Sequence, residues 1–226
     1  MASTTKHIVF DWNGTLLDDF HAIHQATNHI LQSQGHAIID GNMFRTHYAI
    51  PFEGFYRNLG LNTAQTEKML QLENSTFHDH YEPLANASVL REGAVEALEH
   101  AWTQGLKCYI LSNHLVEPIR FQLHRLKIDH YFTEVLAYAS RAVQFQDMTK
   151  GERLRRYMAQ HNIPARETLI VGDTPEETHI AHEQGLTSVA ITGGCASEEK
   201  LRKEKPNFII HQLPELKAIL KERVHA

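Results

Sequence analysis

Short apolar runs bounded by turn residues recur along this chain, separated by stretches with helical periodicity, and this alternation constrains its fold most. The runs span residues 8–10, 106–111, 168–171, 187–191 and 208–210, with a less clear one near 132–138. They read as buried strands. Helical patterns lie between most of them, at 92–104, 115–126, 152–161, 176–184 and 213–221. Strands alternating with helices of this length predict βαβ units and a parallel sheet covered on both faces.

One region breaks the alternation. From Asp18 to about Ala87 the pattern is helical, with Phe20, Ile23, Ile30 and Leu31 on one stripe and Met69, Leu70 and Leu72 on another. The expected architecture is therefore α/β: a Rossmann-like open parallel sheet with helices on both faces, formed by residues 1–17 and 88–226. A small all-helical cap, residues 18–87, is inserted after the first strand on two hinges. A chain of 226 residues can bury a core of that size.

Composition removes several function classes. The 22 Lys and Arg stand against 27 Asp and Glu, a net charge of -5 without a long basic stretch, so no nucleic-acid partner is expected. No apolar run approaches the roughly 18 residues that cross a bilayer, and residues 1–6 lack the apolar centre of a signal peptide. Two cysteines make no disulfide framework, and a cytoplasmic location is the expectation. The 17 histidines include the close pairs His21/His24, His78/His80 and His179/His182. No third ligand accompanies any pair in sequence, so these read as solvated surface histidines. The run from Glu198 to Lys205 reads as a solvated helix face.

The stretch HIVFDWNGTLLDD admits two readings. Asn13-Gly14 between apolar runs is a strong hairpin signal. Yet the first run does not alternate and no second strand comes promptly after it. Asp11 to Thr15 is instead one of four polar clusters at corresponding places. The others are Ser112-Asn113, Lys150 before its helix, and Gly172-Asp173-Thr174 with Glu176-Glu177. In open parallel sheets ligands bind outside the carboxyl ends of the strands. One site could thus hold two carboxylates for a hard cation, a lysine for an anion and a hydroxyl donor.

At these four places the chain resembles the haloacid dehalogenase superfamily, and within it the phosphoglycolate-phosphatase-like members with a helical cap. FDWNGTLLDD resembles the first motif, YILSN the second, TKGERL the lysine motif and LIVGDTPEET the metal motif. The resemblance implies a Mg²⁺-dependent phosphatase acting on a small phosphorylated metabolite. It makes Asp11 the nucleophile that forms an aspartyl-phosphate. It assigns Mg²⁺ to Asp11, the backbone carbonyl of Asn13, Asp173 and Glu177. It assigns the phosphoryl oxygens to Ser112, Asn113 and Lys150, with Thr15 orienting the first loop.

The chain departs from that pattern at Asn13, where most of these phosphatases have an aspartate that protonates the leaving group and then activates water. An amide cannot transfer that proton, a loss that commonly costs on the order of 10² to 10⁴ in rate. His114, beside Ser112-Asn113, is the nearest substitute by titration range; the alternative is a first-turn helix residue facing away. A substrate with a good leaving group, a phosphate-binding or regulatory protein with weak turnover, and a phosphomutase are the other readings. A metal-independent dehalogenase is disfavoured by the acidic pair. Glu177, where the family usually has aspartate, is the second departure. In the cap, Arg45, His47, Tyr48, Phe52, Tyr56 and Arg57 are the candidates for substrate contact.

Overall fold

The computed structural model describes residues 4–72, 76–141 and 148–224; residues 1–3 of the amino-terminal segment 1–6 lie outside it. Six strands, β1 (His7–Phe10), β2 (Lys107–Leu115), β3 (Phe132–Tyr138), β4 (Thr168–Gly172), β5 (Thr187–Ile191) and β6 (Phe208–Ile210), form one sheet in the order β3-β2-β1-β4-β5-β6. Every pairing is parallel. The hairpin reading of Asn13-Gly14 is thereby overturned. Gly14 does adopt the positive φ that hairpin turns require, 71°, so the dipeptide signals left-handed backbone without specifying the next element.

Burial on both faces explains the apolar runs. Ile8, Phe10, Cys108, Ile110, Leu169 and Val171 pack on one side against α6 (Ala94–Thr103), α7 (Val116–Leu126) and α11 (Leu216–Val224). Val9, Tyr109, Leu111 and Ile170 pack on the other against α8 (Lys150–Gln160) and α9 (Pro175–Gln184). A strand covered twice has no polar face to alternate with.

Among the described residues, five α-helices lie in the interval after β1: α1 (Phe20–Ser33), α2 (Gly41–His47), α3 (Phe52–Asn58), α4 (Thr63–Leu72) and α5 (His78–Ala87). They share an apolar cluster that includes Ile23, Ile30, Phe44, Phe55, Tyr56 and Met69. It meets the sheet at Ala190 of β5 and Ile209 of β6, and it includes Cys195, Ala196 and Leu201, the last on α10 (Glu198–Lys203). The two connections to this helical unit bond to each other: Asp18 N–H donates to Val89 O and Arg91 N–H to Leu16 O, both at 2.9 Å. Among the described residues no helix is long and apolar enough to cross a membrane.

Candidate active site

Chain direction puts the chemistry at one edge of the sheet. After β1 the chain builds outward through β2 and β3, then crosses to the other side of β1 for β4. The carboxyl ends of β1 and β4 flank that switch point, where open sheets leave a crevice. Phe10 is level with Val171, so Asp11 and Asp173 leave the sheet side by side.

Asp11, Asp173, Glu177 and Lys150 are 6%, 0%, 2% and 3% exposed. Lys150 Nζ donates to Asp11 Oδ1 at 2.6 Å and also to Glu177 Oε1. Thr15 Oγ1 stands 3.1 Å from Asp11 Oδ2 and 3.0 Å from Asp173 Oδ1, and the Cys195 N–H donates to Asp173 Oδ2 at 2.6 Å. A Cβ on Gly14 would meet Asp173 Oδ2 at 2.4 Å. Position 14 therefore requires glycine for close approach as well as for its backbone angle.

Lys150 opens α8 behind a Thr149–Glu152 capping box, and Glu177 closes the Thr174 capping box of α9. Both charged groups are thus held by helix first turns. Burial raises the Asp11 carboxyl pKa well above its ordinary value; Lys150 opposes the shift, and Glu177 and Asp173 add to it. Burial raises Asp173 in the same direction, reinforced by Glu177. For Lys150 burial works downward, but Asp11, Glu177 and Glu176 outweigh it and hold the ammonium above the usual lysine range. Three buried carboxylates face one ammonium, and their donors are all oxygen. That excess of negative charge and that donor chemistry fit a hard divalent cation such as Mg²⁺.

Removing this ammonium should harm the fold as well as the chemistry. Lys150→Ala strips the buried counter-charge from two carboxylates, a change that typically costs about 3–5 kcal/mol. Urea denaturation in EDTA should show a loss of that size, partly recovered in Mg²⁺. Unchanged stability would mean that the pair contributes nothing.

The remaining residues named from the sequence converge here too, with different partners. β2 runs on through Ser112, Asn113 and His114 to Leu115, which pairs with Tyr138 after a register shift. His114 is therefore neither in a helical first turn nor facing away. It is 6% exposed and borders the same cavity as Asp11 and Asn13. Asn113 donates to Glu176 Oε2 at 2.7 Å. Ser112 Oγ donates to Asn13 Oδ1 at 3.2 Å.

Asn13 is tied into a network that the sequence reading missed. Its Nδ2 donates to Asp19 Oδ2 at 2.8 Å and to the Tyr81 hydroxyl at 2.6 Å, and Tyr81 donates to Asp19 Oδ2 at 2.6 Å. Asp19 also accepts from Gly14 N–H at 2.8 Å. Its side chain thus turns back to the loop after β1 rather than capping α1. Because an ionised carboxylate only accepts, Asp19 dictates which end of the Asn13 amide faces it. Arg91, also missed, donates to Gly14 O and Thr192 O at 2.7 Å and braces the loop.

The cavity holds about 120 Å³ and has a polar floor and an apolar roof from the helical unit, including Ile23, Tyr48, Phe52 and Phe77. Of the cap candidates, Tyr48 and Phe52 border it. Tyr56 lies within the helical unit's apolar cluster, Arg57 pairs with Glu53 at the surface, and Arg45 Nε donates to Gly194 O at 2.8 Å. The surface reading holds for His21, His80, His179 and His182, which are exposed. It fails for His78, which is 7% exposed, and for His24, which is half-buried with its Nε2 2.7 Å from Ile39 O.

An open parallel sheet with a buried aspartate after its first strand, a lysine on that aspartate and a second aspartate beside it defines a hydrolase built on a parallel α/β core. The model of the haloacid dehalogenase-like hydrolases matches residues 8–191, and the chain belongs to that family as a phosphatase-like member. It is 24% identical to the phosphoglycolate phosphatase of Pseudomonas fluorescens, over 91% of this chain and 76% of that one. It is 21% identical to a pyrophosphatase of Bacillus mycoides, over 94% and 95%. A haloacid dehalogenase-like hydrolase from Streptococcus pneumoniae superposes with a TM-score of 0.79 at 22% identity, covering 95% of this chain and 98% of that one.

Proposed function

We propose that the protein hydrolyses a small phosphate monoester of the phosphoglycolate kind, using Mg²⁺ and an aspartyl-phosphate on Asp11. The observation that carries this reading is the placement of Asp11: it is buried, held by Lys150, linked through Thr15 to Asp173, and open to the cavity. An Asp11 carboxylate oxygen attacks phosphorus, the ester P–O bond breaks, and the departing oxygen takes a proton from water and leaves as the alcohol. Water then attacks the phosphorus of the aspartyl-phosphate, releasing inorganic phosphate and the free carboxylate.

Asp11, the Asn13 carbonyl and Asp173 would hold Mg²⁺, with Glu177 directly or through water; the bound ion would neutralise charge on the phosphoryl oxygens. Lys150, Ser112 and the Asn113 amide hold the same oxygens, which requires Asn113 to release Glu176. Residues 18–87 act as the cap that closes over the cavity and excludes water. The two cysteines are free and buried, which suits a reducing cytoplasm.

Asn13 favours one refinement. With no proton to give there, substrates whose leaving group departs without protonation, such as acyl phosphates and pyrophosphate, should be cleaved faster than alkyl phosphates. Neither the phosphoglycolate phosphatase nor the pyrophosphatase relative favours a phosphomutase or a purely phosphate-binding role. A panel of alkyl, aryl and acyl phosphates and pyrophosphate, assayed in Mg²⁺ and in EDTA, tests both parts. Full activity in excess chelator would overturn the metal assignment. Equal turnover of alkyl and acyl phosphates would show that another group already supplies the proton.

A further inference from the structure

Beside the oxygen-lined site stands a cluster of different chemistry. His78 and Glu82 are one turn apart on α5, and His114 comes from the end of β2. Glu82 Oε1 is 3.3 Å from His78 Nδ1 and 3.5 Å from His114 Nε2, and the three ligand atoms lie within 4.8 Å of one another. Both imidazoles are buried, and the Glu82 side chain is 17% exposed. His114 Nε2 is buried, and the polar atom that faces it, Glu82 Oε1, stands 3.5 Å away, beyond good hydrogen-bond length.

Two arrangements bring such atoms together, a hydrogen-bonded triad and a shared cation, and His78 Nδ1 meets the looser limit of the first. Charge-assisted N–H···O bonds are about 2.7–2.9 Å long, and both separations exceed that by several tenths of an ångström. Ligands around a tetrahedral zinc, each about 2.0–2.1 Å from the ion, stand about 3.3–3.4 Å apart. The two separations from Glu82 are of that size, and the third pair of atoms lies within 4.8 Å. Two imidazoles and one carboxylate are also a set that favours zinc and its transition-metal neighbours, whereas Mg²⁺ prefers oxygen throughout.

We propose that His78, Glu82 and His114 form a binding site for a borderline divalent cation of the Zn²⁺ class, separate from the oxygen site of Asp11, Asp173 and Glu177. Two ligands come from the helical unit and one from the sheet, so occupancy ties α5 to β2. Tyr81, between His78 and Glu82 on the same helix, is then held on Asn13 and Asp19. His78 and His114 border the cavity, so a cation held by them would stand at its wall, and three protein ligands would leave one place for water, as in zinc sites that keep an open coordination place. With the cation bound, His114 is a ligand and does not exchange protons with the leaving group. The inference does not depend on the phosphatase reading.

The test uses the full chain, stripped with chelator and titrated with ZnCl₂ against a chromophoric zinc indicator while excess Mg²⁺ occupies the oxygen site. One Zn²⁺ per chain should bind and raise the melting temperature. His78→Ala, Glu82→Gln and His114→Ala should each weaken binding more than ~100-fold, beyond the roughly 10–100-fold typical of residues that only support a ligand. Asp173→Asn should leave it unchanged. Should a histidine variant fail to fold, Co²⁺ added to the wild-type chain supplies the second measurement, expected to show the intense visible bands of a four-coordinate site. Absence of those bands, Zn²⁺ binding that survives all three substitutions, or binding lost in Asp173→Asn would each overturn the proposal. An inactive enzyme that still binds Zn²⁺ in this pattern would count against the phosphatase reading alone.

Discussion

Asp11→Asn leaves a folded protein with turnover reduced by about 10⁵-fold or more. The magnitude is that of removing a covalent nucleophile, as opposed to a supporting contact. The amide keeps the side-chain shape and still presents an oxygen to Lys150, so packing at β1 survives. Folding should not suffer, because the wild-type carboxylate sits at 6% exposure beside Asp173 and Glu177. Its pKa is raised by burial in spite of Lys150, so keeping it ionised costs the native state free energy. In EDTA the variant should therefore melt at the same temperature as wild type or higher, an active-site trade of stability for function. Residual steady-state turnover within tenfold of wild type, in a preparation checked by mass spectrometry for deamidation, would remove Asp11 from the nucleophile's role. A lower melting temperature in EDTA would show that the Lys150 pair outweighs the crowding of carboxylates.

The second large effect concerns Asn13 and Asp19 together. Read from sequence, Asn13→Asp restores a proton carrier of nearly the same shape with little effect on packing. The structure corrects that expectation, because Asn13 Nδ2 lies 2.8 Å from Asp19 Oδ2. An aspartate there sets two carboxyls against each other, and one of them must keep its proton. Asp19 is already raised by burial, which the bonds from Tyr81, Asn13 and Gly14 only partly offset. Asn13→Asp alone should cost about 2–4 kcal/mol, the loss expected when a hydrogen-bonded buried charge loses its donor. Pairing it with Asp19→Asn returns an amide and a carboxylate to the network in reversed order. The double variant should recover about 1–3 kcal/mol relative to the sum of the single changes. It should also hydrolyse alkyl phosphates at least ~10-fold faster than wild type, within the range general acid–base catalysis supplies. Denaturant curves for the four proteins decide the first part. Additivity within about 0.5 kcal/mol would mean that the two side chains do not interact. Equal alkyl-phosphate rates in wild type and the double variant would show that proton transfer does not limit the reaction.

The parts legible in sequence were those governed by local periodicity. Each strand had to be apolar on both faces because helices cover the sheet twice, and six apolar runs therefore marked six strands. Asp11, Lys150 and Asp173 were legible because each lies at a strand end or helix start, where a polar cluster interrupts an apolar pattern. Gly14 announced its positive φ, though the same signal also suits a hairpin. Partnerships across the boundary between the helical unit and the sheet left no such trace. Tyr81 reaches Asn13 and Asp19 over more than sixty residues, and no period in the chain encodes that meeting. His78 looked paired with its sequence neighbour His80. On a helix, positions four apart share a face and positions two apart do not, so its partner is Glu82, and His114 arrives from another element. The sequence by itself thus determined the strand and helix order and the residues that leave the sheet at its carboxyl edge. Only the tertiary structure decided what those residues touch, because burial of the helical unit against the sheet brings together polar groups that chain connectivity leaves far apart.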